Sequence, residues 1–279
     1  MSAQTMTKPS RTARDYKSDV KPVWCPGCGD YSVLSSITKA LAELDLPPED
    51  VAVVSGIGCS SRIPAYVDCY GFHGVHGRSL PLATGLKVAR PELTVLVASG
   101  DGDGFSIGGN HFMHAARRNI DLTYIVMDNR VYGMTKGQPS PTTEPDWDSA
   151  LAPGGTGISP FRPLVIALAA GANFIARGFA GDPNGTAKLI VEAIRHPGFS
   201  FVELLSPCVT FRPDQRLWKD AVHTAMVDPT DDAGRAARRL MTDDGFNIGV
   251  LYTGQREPYR APVSDKLSSI GELEERFAL

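Results

Sequence analysis

Apolar runs of strand length alternate with helical patterns along most of the chain. Four runs are nearly continuous in Val, Ile and Leu, which predicts strands buried on both faces at residues 51–57, 93–98, 122–127 and 199–205. Between them, apolar residues recur at helical spacing and predict helices at residues 31–44, 81–89, 110–118 and 184–196. This alternation predicts an α/β fold with a doubly wound, mostly parallel sheet covered by helices on both sides.

The pattern also suggests how the chain is divided. Residues 1–20 are polar and predict a disordered or extended segment, and residues 21–215 carry the α/β domain. Within that domain, residues 130–160 are rich in Gly, Pro, Ser and Thr, and a loop of this length is usually functional or disordered. The periodicity weakens after Cys208, so residues 216–279 are expected to form an extended C-terminal arm that packs on a partner subunit, with a short acidic helix near residues 270–276.

The composition of the chain indicates which class of protein it belongs to. The chain has 279 residues, 42% of them hydrophobic and 21% charged, as in soluble globular proteins, and its net charge of −3 gives no reason to expect nucleic-acid binding. The polar, basic N-terminus does not resemble a secretory signal, and no apolar run is long enough for a membrane span. We therefore expect a cytoplasmic location, where the five cysteines are thiols or metal ligands rather than disulfides.

A glycine–aspartate segment at residues 100–105 follows one predicted strand and precedes a predicted helix. Glycines let backbone amides approach a phosphate closely, and a helix N-terminus favours an anion. Asp101 and Asn129 follow neighbouring strands, and their oxygens, with the carbonyl of Val131, are donors that suit Mg²⁺. The segment predicts a diphosphate–Mg²⁺ site. The alternative is an ordinary turn with solvated acids, while dinucleotide and P-loop motifs are absent at this segment.

Four of the cysteines suggest a metal centre. Cys25 and Cys28 form a Cys-Pro-Gly-Cys knuckle, whereas Cys59 and Cys208 each follow a predicted strand. A zinc knuckle is possible, but a zinc ribbon needs a second knuckle, and the sequence has none. Two paired and two isolated cysteines suit a [4Fe–4S] cluster, placed at the same sheet edge as the diphosphate site. Cys69 lacks a glycine or proline frame and is expected to be a small core residue.

Taken together, these motifs resemble those of the beta subunits of 2-oxoacid:ferredoxin oxidoreductases. The resemblance covers about residues 20–215 and rests on six ordered elements: Trp24-Cys-Pro-Gly-Cys-Gly29, Gly56-Ile-Gly-Cys-Ser-Ser61, His73-Gly-Val-His-Gly-Arg78, Gly100-Asp-Gly-Asp103 through Asn129, Tyr132-Gly-Met-Thr-Lys-Gly-Gln138 with Ser140-Pro-Thr142, and Ser206-Pro-Cys208. It implies a thiamine-diphosphate-binding fold.

The resemblance implies a role for each matching residue. The [4Fe–4S] ligands would be Cys25, Cys28, Cys59 and Cys208, and the Mg²⁺ ligands Asp101, Asn129 and the Val131 carbonyl. The residues that line thiamine diphosphate would be Ile57, Gly58, Cys59, Ser60, Gly102, Asp103, Gly133 and Met134. The implied reaction converts a 2-oxoacid and coenzyme A to acyl-CoA and CO₂, and two electrons pass to ferredoxin.

The same resemblance implies partners. The glutamate that thiamine enzymes need at the aminopyrimidine would come from an alpha subunit, and we find no candidate for it in this sequence. The chain is therefore expected to be inactive alone and to act in an α₂β₂ heterotetramer.

Arg62 and His76 are the candidate catalytic residues. Arg62 follows Cys59 by three residues and could bind a distal carboxylate, which favours 2-oxoglutarate over pyruvate; the alternative is a surface or interface salt bridge. His76, preferred over His73, could bind substrate or cofactor and move a proton, although a structural histidine is an equal alternative. Other hypotheses are pyruvate or another 2-oxoacid as substrate, a non-oxidative thiamine diphosphate decarboxylase or synthase, and a zinc-binding interaction module.

Overall fold

The computed structural model describes residues 11–224, 228–261, 269, 271, 274 and 275. Eight strands in this part form one sheet with the order β2-β1-β3-β4-β6-β5-β8-β7. Their bounds are β1 Val51–Ser55, β2 Tyr70–His73, β3 Thr94–Gly100, β4 Leu122–Asp128, β5 Phe174–Phe179, β6 Phe199–Leu205, β7 His223–Thr224 and β8 Asn247–Thr253. The first six strands of that order are parallel, and β8 runs antiparallel to β5.

Helices cover both faces of the sheet. Their bounds are α1 Asp30–Glu43, α2 Ile63–Tyr66, α3 Ser79–Ala89, α4 Asp101–Phe105, α5 Gly109–Arg118, α6 Pro163–Ala170, α7 Pro183–Arg195, α8 Trp218–Ala221 and α9 Ala233–Met241, with 3-10 turns at Pro48–Asp50, Ser60–Arg62 and Pro213–Leu217. One apolar core lies under α1 and α7, and the other lies under α3, α5 and α6. In β1, Val51 and Val53 face the first core and Ala52 and Val54 the second, which is why the run is continuously apolar. The prediction of a doubly wound, mostly parallel sheet is confirmed.

Most predicted elements lie within two residues of their observed bounds, but some elements were missed. Strand β5 has the sequence Phe-Ile-Ala-Arg-Gly-Phe, and its buried Arg177 and Gly178 interrupt the apolar run that would have revealed it. Every residue of strand β2 is exposed, so its sequence lacks the alternation of apolar and polar residues that a half-buried strand shows. Helix α7 begins earlier than predicted, because Asp182 rather than Asn184 caps it by accepting a hydrogen bond from the Gly185 N–H.

The C-terminal region differs from the arm predicted for residues 216–279. Strand β8 joins the sheet beside β5, and Leu240 of α9 is buried in the second core. The domain therefore continues past residue 215, because the free edge of β5 needs a partner for its backbone groups. A register shift at Ile175 and a left-handed Gly249 (φ +128°) explain why the sequence pattern of β8 is weak. Most of the acidic helix expected near residues 270–276 lies outside the described residues.

The N-terminal segment also differs from the prediction. Residues 1–10 lie outside the described part, but residues 11–20 are not an independent extension. Tyr16 is fully buried and donates a hydrogen bond of 2.5 Å to the Leu46 carbonyl, and Lys17 forms a β-bridge with Val67. One buried aromatic ring is enough to dock this otherwise polar stretch. Over the described residues, the helices are too short or too polar to cross a membrane.

Candidate active site

Four adjacent strands bring the predicted site residues to one edge of the sheet. Strands β1, β3, β4 and β6 are consecutive neighbours, and the segments that directly follow them carry Cys59, Asp101, Asn129 and Cys208 in that order. Because the four strands are parallel, their carboxyl ends share an edge, which is where ligands bind in such sheets. The strand order thus explains why residues 149 positions apart, from 59 to 208, serve one site.

The Cys25–Cys28 knuckle packs closely on the loop that carries Cys208. Gly27 adopts a left-handed conformation (φ +85°), and the Cys28 N–H donates 3.0 Å to the Cys25 carbonyl. The Gly29 N–H donates 3.2 Å to the Pro207 carbonyl, and a Cβ at Gly29 would lie only 2.5 Å from the Ser206 hydroxyl. Only glycine allows this approach, so the motif Cys-Pro-Gly-Cys-Gly places two cysteines beside a third.

Cys59 completes the group. The Trp24 indole N–H donates a hydrogen bond of 2.7 Å to the Cys59 carbonyl, which ties the Cys59 loop to the knuckle. Burial, the nearby Asp30 and the other cysteines raise the pKa of the Cys59 thiol to about 11, and burial followed by Asp30 raises that of Cys28 further. Buried thiolates that repel one another need positive charge among them, and an iron–sulfur cluster supplies it. The donor set therefore fits a Cys₄ cluster.

The five cysteines are all free thiols. Within the described residues, no three His, Cys, Asp or Glu side chains are placed to hold a single metal ion. A [4Fe–4S] cluster makes a different demand, because each of its cysteines binds a different iron. Cys69 packs against the first core, as expected, and burial raises the pKa of its thiol to about 12.

A cleft of about 550 Å³ opens beside these cysteines. All eight residues predicted to line thiamine diphosphate do line it: Ile57, Gly58, Cys59, Ser60, Gly102, Asp103, Gly133 and Met134. The predicted Mg²⁺ ligands Asp101, Asn129 and Val131 border the same cleft. A Cβ at Gly102 would overlap the ring of Tyr132 at 2.3 Å, so the glycine lets the loop after β4 close over the start of α4.

Two buried carboxylates lie at the predicted Mg²⁺ position. The Thr142 hydroxyl lies 2.8 Å from Asp101 Oδ2 and 2.7 Å from Asp128 Oδ1, and it has one hydrogen to donate. Ser140 also donates to Asp101. Burial raises the pKa of Asp101, and burial with the charge of Asp101 raises that of Asp128 to about 6. Burial disfavours both carboxylates in their charged form, and a cation beside them would stabilise that form, so the oxygen-rich donor set fits Mg²⁺.

Comparisons with known proteins agree with this geometry. Residues 56–204 match the family described as thiamine pyrophosphate enzyme, C-terminal TPP binding domain. The 2-oxoacid:ferredoxin oxidoreductase 2 subunit beta of Aeropyrum pernix is 47% identical over 262 residues, which is 88% of this chain and 84% of that protein. The 2-oxoglutarate oxidoreductase subunit KorB of Mycobacterium tuberculosis is 47% identical over 205 residues, or 74% of this chain and 55% of that protein.

A solved structure is similar over nearly the whole chain. It is described as 2-oxoglutarate:ferredoxin oxidoreductase from Magnetococcus marinus with 2-oxoglutarate, coenzyme A and succinyl-CoA bound. It has a TM-score of 0.86 and 41% identity, and the match covers 97% of this chain and 92% of that one.

The chain belongs to the beta subunits of the 2-oxoacid:ferredoxin oxidoreductase family.

In this beta subunit, Asp103 borders the cleft, and its carboxylate accepts hydrogen bonds from the Ile57 and Gly77 N–H groups and from the Ser99 hydroxyl. His76 lines the cleft, with Nδ1 2.9 Å from Asp103 Oδ1. The contact of Asp103 with thiamine diphosphate stays a prediction.

Arg62 lies beside Cys59 but outside the set of residues that line the cleft. Its side chain is exposed and makes no hydrogen bond or ion pair with any described residue. Within the part of the chain that the structure describes, Arg62 forms no salt bridge and does not line the cleft, and its role at the substrate stays a prediction.

Several site residues of the beta subunit were not assigned a role from the sequence: Trp24, Ser99, Tyr132, Thr135, Gln138, Ser140, Thr142 and Gln215. Five of them lie in residues 130–160, so the long glycine-rich loop was the available sign. Gln215 is the last residue of the predicted α/β domain, beyond the last recognised motif, and no pattern marked it.

Proposed function

We propose that this chain is the beta subunit of a 2-oxoglutarate:ferredoxin oxidoreductase that binds thiamine diphosphate, Mg²⁺ and one [4Fe–4S] cluster. In the proposed reaction, 2-oxoglutarate and coenzyme A give succinyl-CoA, CO₂, two electrons and one proton, and the electrons pass to ferredoxin. The observation that carries this is the loop of residues 57–59, where Ile57 and Gly58 border the cofactor cleft and Cys59 follows at once. The names of the Mycobacterium and Magnetococcus relatives support the choice of 2-oxoglutarate.

The Mg²⁺ ion would be held by Asp101, Asn129 and the Val131 carbonyl. The diphosphate would face the backbone at Gly102 and Gly133. When bound, thiamine diphosphate supplies the electron sink that allows CO₂ to leave a 2-oxoacid. The residues of this chain orient it: Ser140 and Thr142 fix the Asp101 carboxylate, and Asn129 Oδ1 accepts from the Val131 N–H at 3.1 Å, which holds the turn after β4. Fixed oxygen donors suit Mg²⁺, which tolerates little distortion of its octahedron.

Cys25, Cys28, Cys59 and Cys208 would hold the cluster, which accepts electrons one at a time. Two hydrogen bonds set its place relative to the cleft: the Asp103 carboxylate accepts from Ile57 N at 2.9 Å, and Trp24 donates to the Cys59 carbonyl. The loop between them is thus fixed at both ends. Three consecutive residues, 57–59, would fix the distance between thiamine diphosphate and the cluster. Electron transfer between the two would therefore need no large movement of the chain.

An alpha subunit would complete the site. No glutamate is among the described residues that line the cleft, so the group that activates the aminopyrimidine has to come from elsewhere. Ile57 and Met134 remain 40% and 56% exposed at the cleft, apolar surface that a partner would cover. We propose an α₂β₂ assembly that passes electrons to ferredoxin; the cytoplasmic location stays a prediction from the sequence.

The test is an assay of the chain co-expressed with its alpha subunit and purified without oxygen. Coenzyme A-dependent reduction of a viologen dye should be faster with 2-oxoglutarate than with pyruvate or a branched 2-oxoacid, and the beta subunit alone should be inactive. Preference for pyruvate would refute the substrate and leave the family intact. Decarboxylation without dye reduction would instead favour a non-oxidative thiamine enzyme.

A further inference from the structure

The carboxylate of Asp103 is a fully engaged acceptor under the cleft. Oδ1 accepts from the Ile57 N–H at 2.9 Å and the Gly77 N–H at 2.7 Å and lies 2.9 Å from His76 Nδ1, while Oδ2 accepts from the Ser99 hydroxyl. The side chain is 1% exposed, so water does not compete for these oxygens. With these donors around it, the carboxylate acts as the acceptor towards His76.

This contact determines the tautomer of His76. Since the carboxylate oxygen accepts, Nδ1 carries the hydrogen, and in the neutral ring Nε2 then holds a free lone pair. The side chain of His76 is 40% exposed and lines the cleft, and Nε2 has no hydrogen-bond partner among the described residues. His73, three residues earlier, is exposed on β2 and does not line the cleft.

The proposed reaction needs a base in this place. Its balance releases one proton, and that proton comes from the coenzyme A thiol. Among the described residues that line the cleft, the other side chains that could take a proton are Asp101, assigned to Mg²⁺, Cys59, assigned to the cluster, and Asp103, whose oxygens already accept hydrogen bonds. Nε2 of His76 is therefore the one unoccupied nitrogen lone pair of an imidazole among these residues.

We propose that His76 is the catalytic base that takes the coenzyme A thiol proton on Nε2, and that Asp103 is its positioning residue. The S–H bond breaks as the sulfur bonds to the acyl carbon and that carbon leaves the cofactor. The proton moves to Nε2 and then to solvent, while the two electrons leave through the cluster. An orienting carboxylate behind a histidine that faces the substrate is a recurring arrangement for proton transfer. The assignment rests on the proposed function above.

The experiment uses the anaerobic alpha–beta complex with His76→Ala. Coenzyme A-dependent formation of succinyl-CoA should fall by about 100-fold or more, the range for removal of a general base. Without coenzyme A, the variant should still release one equivalent of CO₂ per site. Its affinity for thiamine diphosphate, measured by calorimetry, should also be unchanged. Imidazole in the buffer should restore part of the lost rate, because it can occupy the space of the missing ring. His73→Ala is the matched control and should behave as wild type.

Two further variants separate base catalysis from folding. His76→Gln still donates to Asp103, so it should fold normally, lose the same step and gain nothing from imidazole. Asp103→Asn should slow the same step, and the double variant Asp103→Asn/His76→Ala should be hardly slower than His76→Ala, since the two residues act as a unit. An unchanged coenzyme A-dependent rate in His76→Ala, a loss that imidazole does not restore, or loss of the CO₂ release as well would overturn the proposal. Absence of succinyl-CoA with the wild-type complex would instead refute the proposed function itself.

Discussion

Gln215 donates a hydrogen bond of 2.7 Å from Nε2 to the backbone carbonyl of Asn129. Its Oε1 accepts from the Cys208 N–H at 2.8 Å, and the residue is 1% exposed. One side-chain amide thus joins the loop of a proposed Mg²⁺ ligand to the loop of a proposed cluster ligand. The 3-10 turn at Pro213–Leu217 that presents it belongs to the site, although it follows the last recognisable motif.

Gln215→Leu should weaken both halves of the site. The substitution removes the hydrogen-bond partner of the part-buried Asn129 carbonyl and of the part-buried Cys208 N–H, and an unsatisfied polar group costs about 1–3 kcal/mol. Loss of about 1–3 kcal/mol from the Asn129 side of the site would lower the affinity for Mg²⁺–thiamine diphosphate by about 5- to 150-fold. Calorimetry measures that affinity, and the decay of visible absorbance under a chelator should show faster loss of the cluster.

Gln255→Leu provides the control for that experiment. Gln255 is exposed, and its side chain makes no hydrogen bond with the described residues. It should leave cofactor affinity and cluster lifetime at wild-type values. If Gln215→Leu did the same, the amide bridge would have no part in positioning the two loops.

Thr142→Val should reduce affinity for Mg²⁺ without unfolding the protein. Valine keeps the shape of threonine but removes the hydroxyl that lies between Asp101 and Asp128, so the two carboxylates lose the hydrogen that fixes them. Titration of the thiamine diphosphate complex with Mg²⁺ should give a dissociation constant about tenfold higher. Thr156→Val, at an exposed position, should not change it. An equal constant for both variants would argue against Asp101 as a ligand held by Thr142.

Two histidines should give opposite dependences of stability on pH. Burial lowers the pKa of His196, whose Nε2 lies 3.0 Å from the Gly254 carbonyl, so the unfolded chain takes up its proton more readily. Its contribution to stability is full above about pH 6.5 and is lost as the pH falls through the lowered pKa. The hydrogen bond to Asp244 raises the pKa of His223, whose contribution is full below about pH 6.5 and is lost as the pH rises through the raised pKa.

Melting temperatures between pH 5 and 8 test this pair. Relative to wild type, His196→Gln should lose less stability on acidification, and His223→Gln should lose less on going to alkaline pH. Parallel curves for the three proteins would show that neither histidine changes its pKa on folding.

The sequence predicts the sheet well wherever burial shapes both faces of a strand. Strands β1, β3, β4 and β6 are continuous apolar runs, and these four carry the site, so the location of the site follows from their carboxyl ends. Strands β5 and β8 cannot be predicted in this way because Arg177 and Gly249 interrupt their apolar runs. Arg177 is held in a buried ion pair with Glu203 at 2.6 Å, a partner that only the folded sheet provides.

The chemistry of the site is predictable to a similar extent. The cysteine and glycine–aspartate motifs point to the residues that line the cleft, because those chemical types are demanded by the ligand. The direction of the Asp103 carboxylate is not predictable, since it depends on Ile57, Gly77 and Ser99, which come from three separate segments. Gln215 and Trp24 are found only from contacts, because a hydrogen bond to a distant backbone group leaves no spacing in the sequence.

We propose that the loop of residues 57–59 places a [4Fe–4S] cluster directly beside a thiamine diphosphate site. The most direct measurement is the visible absorbance of the anaerobic alpha–beta complex after 2-oxoglutarate is added, compared between wild type and Cys59→Ser and calibrated by iron and sulfide analysis. We expect about four irons and four sulfides per beta chain in wild type, and rapid bleaching by substrate. In Cys59→Ser, we expect release of CO₂ to persist with the bleaching lost or strongly slowed. Wild-type complex free of iron, or equal bleaching in the two proteins, would contradict the account.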